Sequence, residues 1–152
     1  MTEEKSWIIF DWGRTLYDAE NADLFPDAIE ILEYLKSKYH LAIVSLAKKD
    51  GDIERRKAIV KEKDLEKYFE YVAFTDENKD ALYEKTVQQF KMKPEKTVII
   101  DDRMFRGIQW GNKFGATTIW LQKGKFENEL PNEETGLPTF TIKDLKELKA
   151  IL

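Results

Sequence analysis

Asp11 stands immediately after Ile8-Ile9-Phe10, an apolar run of the length and character of a strand buried on both faces, and Gly13 and Thr15 follow it in a turn. A carboxylate so placed lies where open α/β sheets take their ligands, outside the carboxyl ends of the strands. Two further apolar runs end on polar groups in the same way. Leu41 to Ser45, LAIVS, closes on a hydroxyl, and Thr97 to Asp102, TVIIDD, closes on paired carboxylates. Brought together by a parallel sheet, these side chains would form one polar site at the mouths of three buried strands.

The elements needed to bring them together alternate along the chain. After the first strand, Pro26 stands just inside a helical pattern with Ala28, Leu32, Leu35 and Tyr39 on one face. It ends near His40, which suits a C-terminal cap, and LAIVS follows. Residues Asp52 to Phe69 are densely charged, with Ile53, Val60, Leu65 and Phe69 interspersed, and predict one or two helices with a solvated outer face. Tyr71 to Thr75 reads as the third strand. Lys79 to Met92 reads as a helix with Tyr83, Val87 and Phe90 turned inward, broken by Lys93-Pro94 before TVIIDD. A helix from Phe105 to Phe114 passes through Gly115, a C′ residue, into a fifth strand at Thr117 to Leu121. Gln122 to Pro138, with Gly124, Lys125, Phe126 and Asn128, is a loop that either folds over the site or merely connects. Ile142 to Leu152 predicts a closing helix with Ile142, Leu145, Leu148 and Leu152 on one stripe. Strands separated by helices imply right-handed crossovers, hence an α/β fold: a three-layer α/β/α sandwich on a mostly parallel five-stranded sheet. Residues 1–152 read as one domain. The Trp12 to Phe25 connection is too short for a folded cap domain, and so is the link after the third strand.

Composition narrows the chemistry. The 152 residues carry a net charge of −4, which argues against a general electrostatic grip on nucleic acid or an anionic membrane. There is no cysteine, so disulfides, thiolate metal sites and a cysteine nucleophile are excluded. The single histidine, His40, cannot assemble a histidine metal site or dyad. MTEEKSW lacks the basic and apolar regions of a signal peptide, and no apolar stretch approaches membrane-spanning length, so a cytoplasmic protein is expected.

The arrangement of Asp11-Trp12-Gly13-Arg14-Thr15 after its apolar strand resembles the first motif, D-x-D-x-T, of the haloacid-dehalogenase-like (HAD) superfamily, and the absence of an inserted cap resembles its capless class. The resemblance implies a Rossmann-like sheet and a Mg²⁺-dependent phosphohydrolase in which Asp11 attacks phosphorus to form an aspartyl-phosphate. It implies Mg²⁺ held by Asp11, the backbone carbonyl of Gly13 and Asp102, with Asp101 adjacent. Ser45 matches the second motif, a hydroxyl donor to a phosphate oxygen. Lys79 matches the third, a cation neutralising the moving phosphoryl group, with Lys85, Lys91 and Lys93 in the same segment. Thr15 matches the fifth position of the first motif and reads as structural, holding the turn by a side-chain to backbone hydrogen bond.

Two positions depart from that pattern. Gly13 replaces the second aspartate, the general acid and base of the family's phosphatases, and glycine has no proton to give. Arg106 replaces an outer carboxylate in the fourth motif and adds a fixed positive charge. The alternative implied is a catalytically impaired member that binds a phosphorylated small molecule or macromolecule, as a monomer or an oligomer. Relatives that break carbon–halogen or carbon–phosphorus bonds lack the second aspartate too. Arg14 and Arg106 either anchor an anionic ligand bidentately or pair with neighbouring acids. Trp12 and Trp110 either line the opening or pack in the interior. The Lys48-Lys49 and Glu54-Arg55-Arg56-Lys57 runs read as a solvated face.

Overall fold

The computed structural model describes residues 4–152; the first three residues of the MTEEKSW segment lie outside it. Strand β1 (Trp7–Phe10) is followed by a two-stranded hairpin, β2 (Tyr17–Asp18) and β3 (Asp23–Leu24), and by helix α1 (Ala28–Lys36). Then come β4 (His40–Leu46), α2 (Asp52–Glu62), β5 (Tyr71–Thr75), α3 (Lys79–Gln89), β6 (Thr97–Asp101), α4 (Gln109–Phe114), β7 (Thr117–Leu121), β8 (Phe140–Ile142) and α5 (Leu148–Ile151). The main sheet has six strands in the order β5-β4-β1-β6-β7-β8, every neighbouring pair parallel. The hairpin is the whole of the insertion after β1, and β5 runs into α3 with no inserted domain, so the described residues include no cap domain.

Strand β1 is central, flanked by β4 and β6, with Ile8 opposite Leu41 and Val98. Successive side chains of a strand point to opposite faces. Ile8 and Phe10 therefore join one core with Leu32 and Leu35 of α1, Val60 of α2 and Leu148 of α5, while Ile9 joins the other with Ala42, Val44, Tyr83 and Trp110. This double burial is why the strands read as unbroken apolar runs. It also leaves the first polar residue of each run only one place to go, the carboxyl edge of the sheet.

The structure corrects several expectations. A sixth strand, β8, pairs with β7 through Leu121 and Ile142, so Ile142 belongs to a strand and not to the closing helix. Ile142, Leu145 and Leu148 all enter the same core, and their spacing fits a helix equally well. The turn that starts at Leu145 is set by Glu147, whose carboxylate accepts from the Asp144 backbone N–H at 3.0 Å. The segment Asp52 to Phe69 makes one helix only; α2 stops before Asp64, which takes a left-handed φ of 57°, and Leu65, Tyr68 and Phe69 pack from the irregular chain beyond. His40 caps no helix: it opens β4, pairs with Glu70 and lies against Trp7 with its ring tilted by 32°. Trp12 is wholly buried and stacked on Tyr17, and Trp110 lies between Tyr83 and Phe114 with its indole N–H donating to Glu84, so both pack in the interior and neither lines the hollow above Asp11. No helix among the described residues is long and apolar enough to cross a membrane.

Candidate active site

Asp11 prolongs β1 by one residue, its N–H donating to the Ile100 carbonyl of β6 at 3.0 Å, and this fixes its side chain between the ends of β4 and β6. One carboxylate oxygen, Oδ1, accepts from the Ser45 hydroxyl at 2.8 Å and from Lys79 Nζ at 3.0 Å. The Thr15 hydroxyl reaches Oδ2 at 3.4 Å, which ties the turn to the carboxylate it surrounds. Ser45 lies near the end of β4, and Lys79 is the first residue of α3, whose N-cap Asn78 accepts from the Ala81 N–H at 3.0 Å. The cap fixes where α3 begins and so where Lys79 points. Lys85, Lys91 and Lys93 are all exposed to solvent.

Lys79 bridges two carboxylates, donating to Asp101 Oδ2 at 2.7 Å as well as to Asp11. Asp101 is fully buried, and both its oxygens are engaged. Oδ1 accepts from the Arg103 N–H at 3.0 Å, and Oδ2 from the Gly107 N–H at 2.9 Å besides the lysine. Those two N–H groups bend the chain into a wide π-type turn over Met104–Ile108, so α4 starts at Gln109 and not at Phe105 as its apolar pattern suggests. Asp102 follows one residue later. Its backbone carbonyl accepts from the Trp120 indole at 3.0 Å, but its buried Oδ2 has no partner among the described residues.

The electrostatics follow from three carboxylates sharing one ammonium in a dry setting. Burial works against Asp11 as an anion, yet Lys79 and the Ser45 hydrogen bond outweigh it and hold the carboxyl below its usual range. Burial and the Asp11 charge push Asp101 up, with Lys79 offsetting part of the rise. Burial likewise works against the charge on Lys79, but Asp101 and Asp11 dominate and keep it an ammonium. Asp102, furthest from that ammonium, is pushed up to about 10 by burial and by Asp101 and Asp11. The cluster is short of positive charge. Carboxylate oxygens of Asp11, Asp101 and Asp102 lie within 4.8 Å of one another, all oxygen donors and one of them without a partner, which is the donor set of a hard divalent cation.

Above these residues is a hollow of about 140 Å³, lined by Asp11, Gly13, Ser45, Lys79 and Asp102 together with Arg14, Arg56, Arg103, Arg106 and Phe126. The structure thus brings every anticipated site residue to one place, with Asp101 just beneath. It also adds two. Phe126 reaches the site because the loop after β7 folds over it, held by the Arg103–Glu129 ion pair at 3.0 Å and by the Arg103 guanidinium lying 3.8 Å from the Phe126 ring centre. Arg56, assigned from sequence to a solvated face, turns inward from α2. Its Nη1 donates to the Leu46 carbonyl at 3.0 Å and to Ser45 Oγ at 3.2 Å. The signal was in the helix itself, where Arg56 shares a face with Ile53 and Val60, three residues before it and four after.

Residues 3–121 match the family of haloacid dehalogenase-like hydrolases. The glyceraldehyde 3-phosphate phosphatase of Pyrococcus furiosus is 24% identical over 127 residues, which cover 80% of this chain and 51% of that protein. The chain therefore spans about half the length of this curated relative. The putative HAD-hydrolase YfnB of Bacillus subtilis, solved bound to magnesium, superposes with a TM-score of 0.79 at 14% identity over 99% of each chain. A HAD phosphatase from Thermococcus onnurineus gives a TM-score of 0.65 at 21% identity, covering 85% of this chain and 58% of its own. With the family match running from before β1 to the end of β7 across all the strand ends just described, the chain belongs to the haloacid dehalogenase-like hydrolase family.

Proposed function

We propose that this protein is a phosphohydrolase that cleaves small phosphate esters through an aspartyl-phosphate on Asp11 and depends on Mg²⁺. The observation that carries the reading is the pairing of one buried, ionised carboxylate with two fixed donors, Ser45 and Lys79, at the floor of a small hollow. Asp11, the Gly13 backbone carbonyl and Asp102 would hold the cation, with Asp101 completing the acidic cluster and fixing Lys79 from below. The cation supplies Lewis-acid charge that lets an anionic phosphate approach a carboxylate. The magnesium in the solved Bacillus relative and the phosphatase activity of the Pyrococcus relative support the reading.

Asp11 forms an O–P bond as the ester P–O bond breaks, and the electron pair leaves on the ester oxygen. Ser45 and Lys79 donate to the non-bridging oxygens as charge shifts among them. Water then attacks phosphorus, releasing phosphate and restoring the carboxylate. Arg14 and Arg106 flank the hollow and hold the anionic substrate.

No acid at residue 13 protonates the leaving oxygen. General acid/base help is worth about 10²–10⁴-fold, so esters with good leaving groups turn over and unactivated ones do so slowly. The guanidinium of Arg56, within 3.7 Å of where a side chain at Gly13 would begin, favours a second reading, a receptor that holds a phosphorylated ligand without turnover.

The deciding experiment is p-nitrophenyl phosphate hydrolysis with Mg²⁺ by the native chain, by Asp11→Asn, and by the native chain after chelation. Turnover lost in both of the latter, with an 80 Da adduct on Asp11 trapped in the native chain, is the expected result. No turnover by the native chain, combined with saturable phosphate binding, establishes the receptor instead.

A further inference from the structure

Three guanidinium groups line the hollow without a carboxylate to neutralise them. Arg14, Arg56 and Arg106 take part in no ion pair among the described residues, whereas Arg103 is paired with Glu129 and Arg55 with Asp52. Arg14 is held there by its backbone: it adopts a left-handed φ of 63°, which residues other than glycine rarely adopt, and its N–H donates to the Tyr17 carbonyl at 2.7 Å. Its side-chain Nε is buried and has no acceptor among the described residues. Leaving a buried N–H of a permanently charged group unsatisfied is costly, and an anionic acceptor relieves that cost.

One phosphoryl group cannot satisfy all three. With the proposed Mg²⁺ in place, the three guanidinium groups, Lys79 and the cation together outweigh the Asp11, Asp101 and Asp102 carboxylates and a phosphate monoester of about −1.5 to −2, so about one positive charge is left uncompensated. The geometry divides the arginines. Arg106 follows β6 and lies on the Asp102 side, while Arg14 and Arg56 lie together on the Gly13 side, where both also border an adjoining cavity of about 150 Å³ with Gly13 and Trp12. The main hollow, at about 140 Å³, is well below the roughly 300–1,000 Å³ of sites that take drug-sized ligands. Any second anion therefore sits only a few bonds from phosphorus.

We propose that the site selects a small phosphate ester carrying a second anionic group, a carboxylate or a second phosphate, seated on Arg14 and Arg56. This rests on the reading of Asp11 as the phosphoryl position and names the substrate class that such a site takes. The missing side chain at residue 13 leaves room for the second anion beside the leaving oxygen, and Arg56 reaches it from α2.

The test is calorimetric binding to the Asp11→Asn variant of this 152-residue chain with Mg²⁺, so that no turnover intrudes, using ethyl phosphate, phosphoglycolate and ethanediol bisphosphate. The first two differ only in a methyl against a carboxylate. Phosphoglycolate or the bisphosphate is expected to bind at least about tenfold tighter than ethyl phosphate. Whichever of them does so identifies the second anion as carboxylate or phosphate. That margin is expected to shrink to within about twofold in Arg14→Gln and in Arg56→Gln, both checked for native circular dichroism. Equal binding of all three probes overturns the proposal while leaving the phosphoryl site intact, and so does a margin that neither arginine substitution moves. Failure of all three to bind removes the phosphoryl site itself, and the second-anion proposal with it.

Discussion

Arg56 stands against Gly13: a Cβ built on the glycine would lie 3.7 Å from both terminal nitrogens of the guanidinium. A fixed cation thus occupies the surroundings in which a general acid at residue 13 would have to work. The consequence is testable by restoring the acid. In Gly13→Asp the new carboxylate would ion-pair with Arg56, which lowers its pKa and leaves no proton to donate near neutral pH. Gly13→Asp alone is expected to change turnover of an alkyl phosphate by less than about tenfold, and Gly13→Asp with Arg56→Ala to raise it by about 10²-fold or more with an acid–base bell in its pH profile. A large gain from Gly13→Asp alone would contradict this account.

Lys79 is the only cation bonded to Asp11 or Asp101 among the described residues, and it is 4% exposed. Lys79→Met leaves two buried carboxylates without their partner and is expected to cost about 3–5 kcal/mol in urea unfolding. Adding Asp101→Asn should return a substantial part of that loss without restoring turnover. A loss below about 1 kcal/mol would mean that the bridge contributes little to the fold.

Metal affinity should depend on pH in a known direction. Asp102 is pushed up to about 10 in the folded chain, against an ordinary value of 3.8, so between these values the folded state holds a proton that the unfolded chain has released. Stability from this proton falls as pH rises from about 4 toward about 10. A cation must displace it, so apparent Mg²⁺ affinity should rise about tenfold per pH unit in that window. Thermal shifts at fixed Mg²⁺ are expected to grow from pH 6 to pH 8 and to vanish in Asp102→Asn. A shift that ignores pH sinks the prediction.

Gly107 is required for space. A Cβ there would lie 2.4 Å from Asp101 Oδ2 and 2.7 Å from the Tyr83 hydroxyl, both buried. Gly107→Ala should destabilise by about 1–3 kcal/mol and, by displacing Asp101 and its hold on Lys79, reduce activity even at temperatures where the variant is folded. Gly111→Ala is an apt control, because its Cβ would meet Thr118 Cγ2 at 2.7 Å, away from the site. It should lose stability and keep its rate.

Much of this architecture is written locally. Strands buried on both faces need unbroken apolar runs, so Ile8-Ile9-Phe10, LAIVS and TVIID announce themselves, and with them the polar residues that must emerge at the sheet edge. Asp11, Ser45, Asp101 and Asp102 are therefore legible in the sequence as polar groups emerging at one edge of the sheet. Other features depend on partners distant in sequence. Strand β8 is short and becomes a strand only because β7 offers a free edge, and the π-type turn after Asp102 exists because the Asp101 carboxylate collects two backbone N–H groups.

The amino-acid sequence by itself determined the parallel sheet, the lack of an inserted cap domain between the strands and the absence of an acid at Gly13, since each follows from pattern, length or residue identity. Only the tertiary structure decided which charges meet. It chose Lys79 over three neighbouring lysines, turned Arg56 from a solvated helix face into the wall of the site, and laid Phe126 across Arg103. Charge acts through space and dielectric, and neither the distance between two side chains nor the water excluded around them is fixed by their separation along the chain.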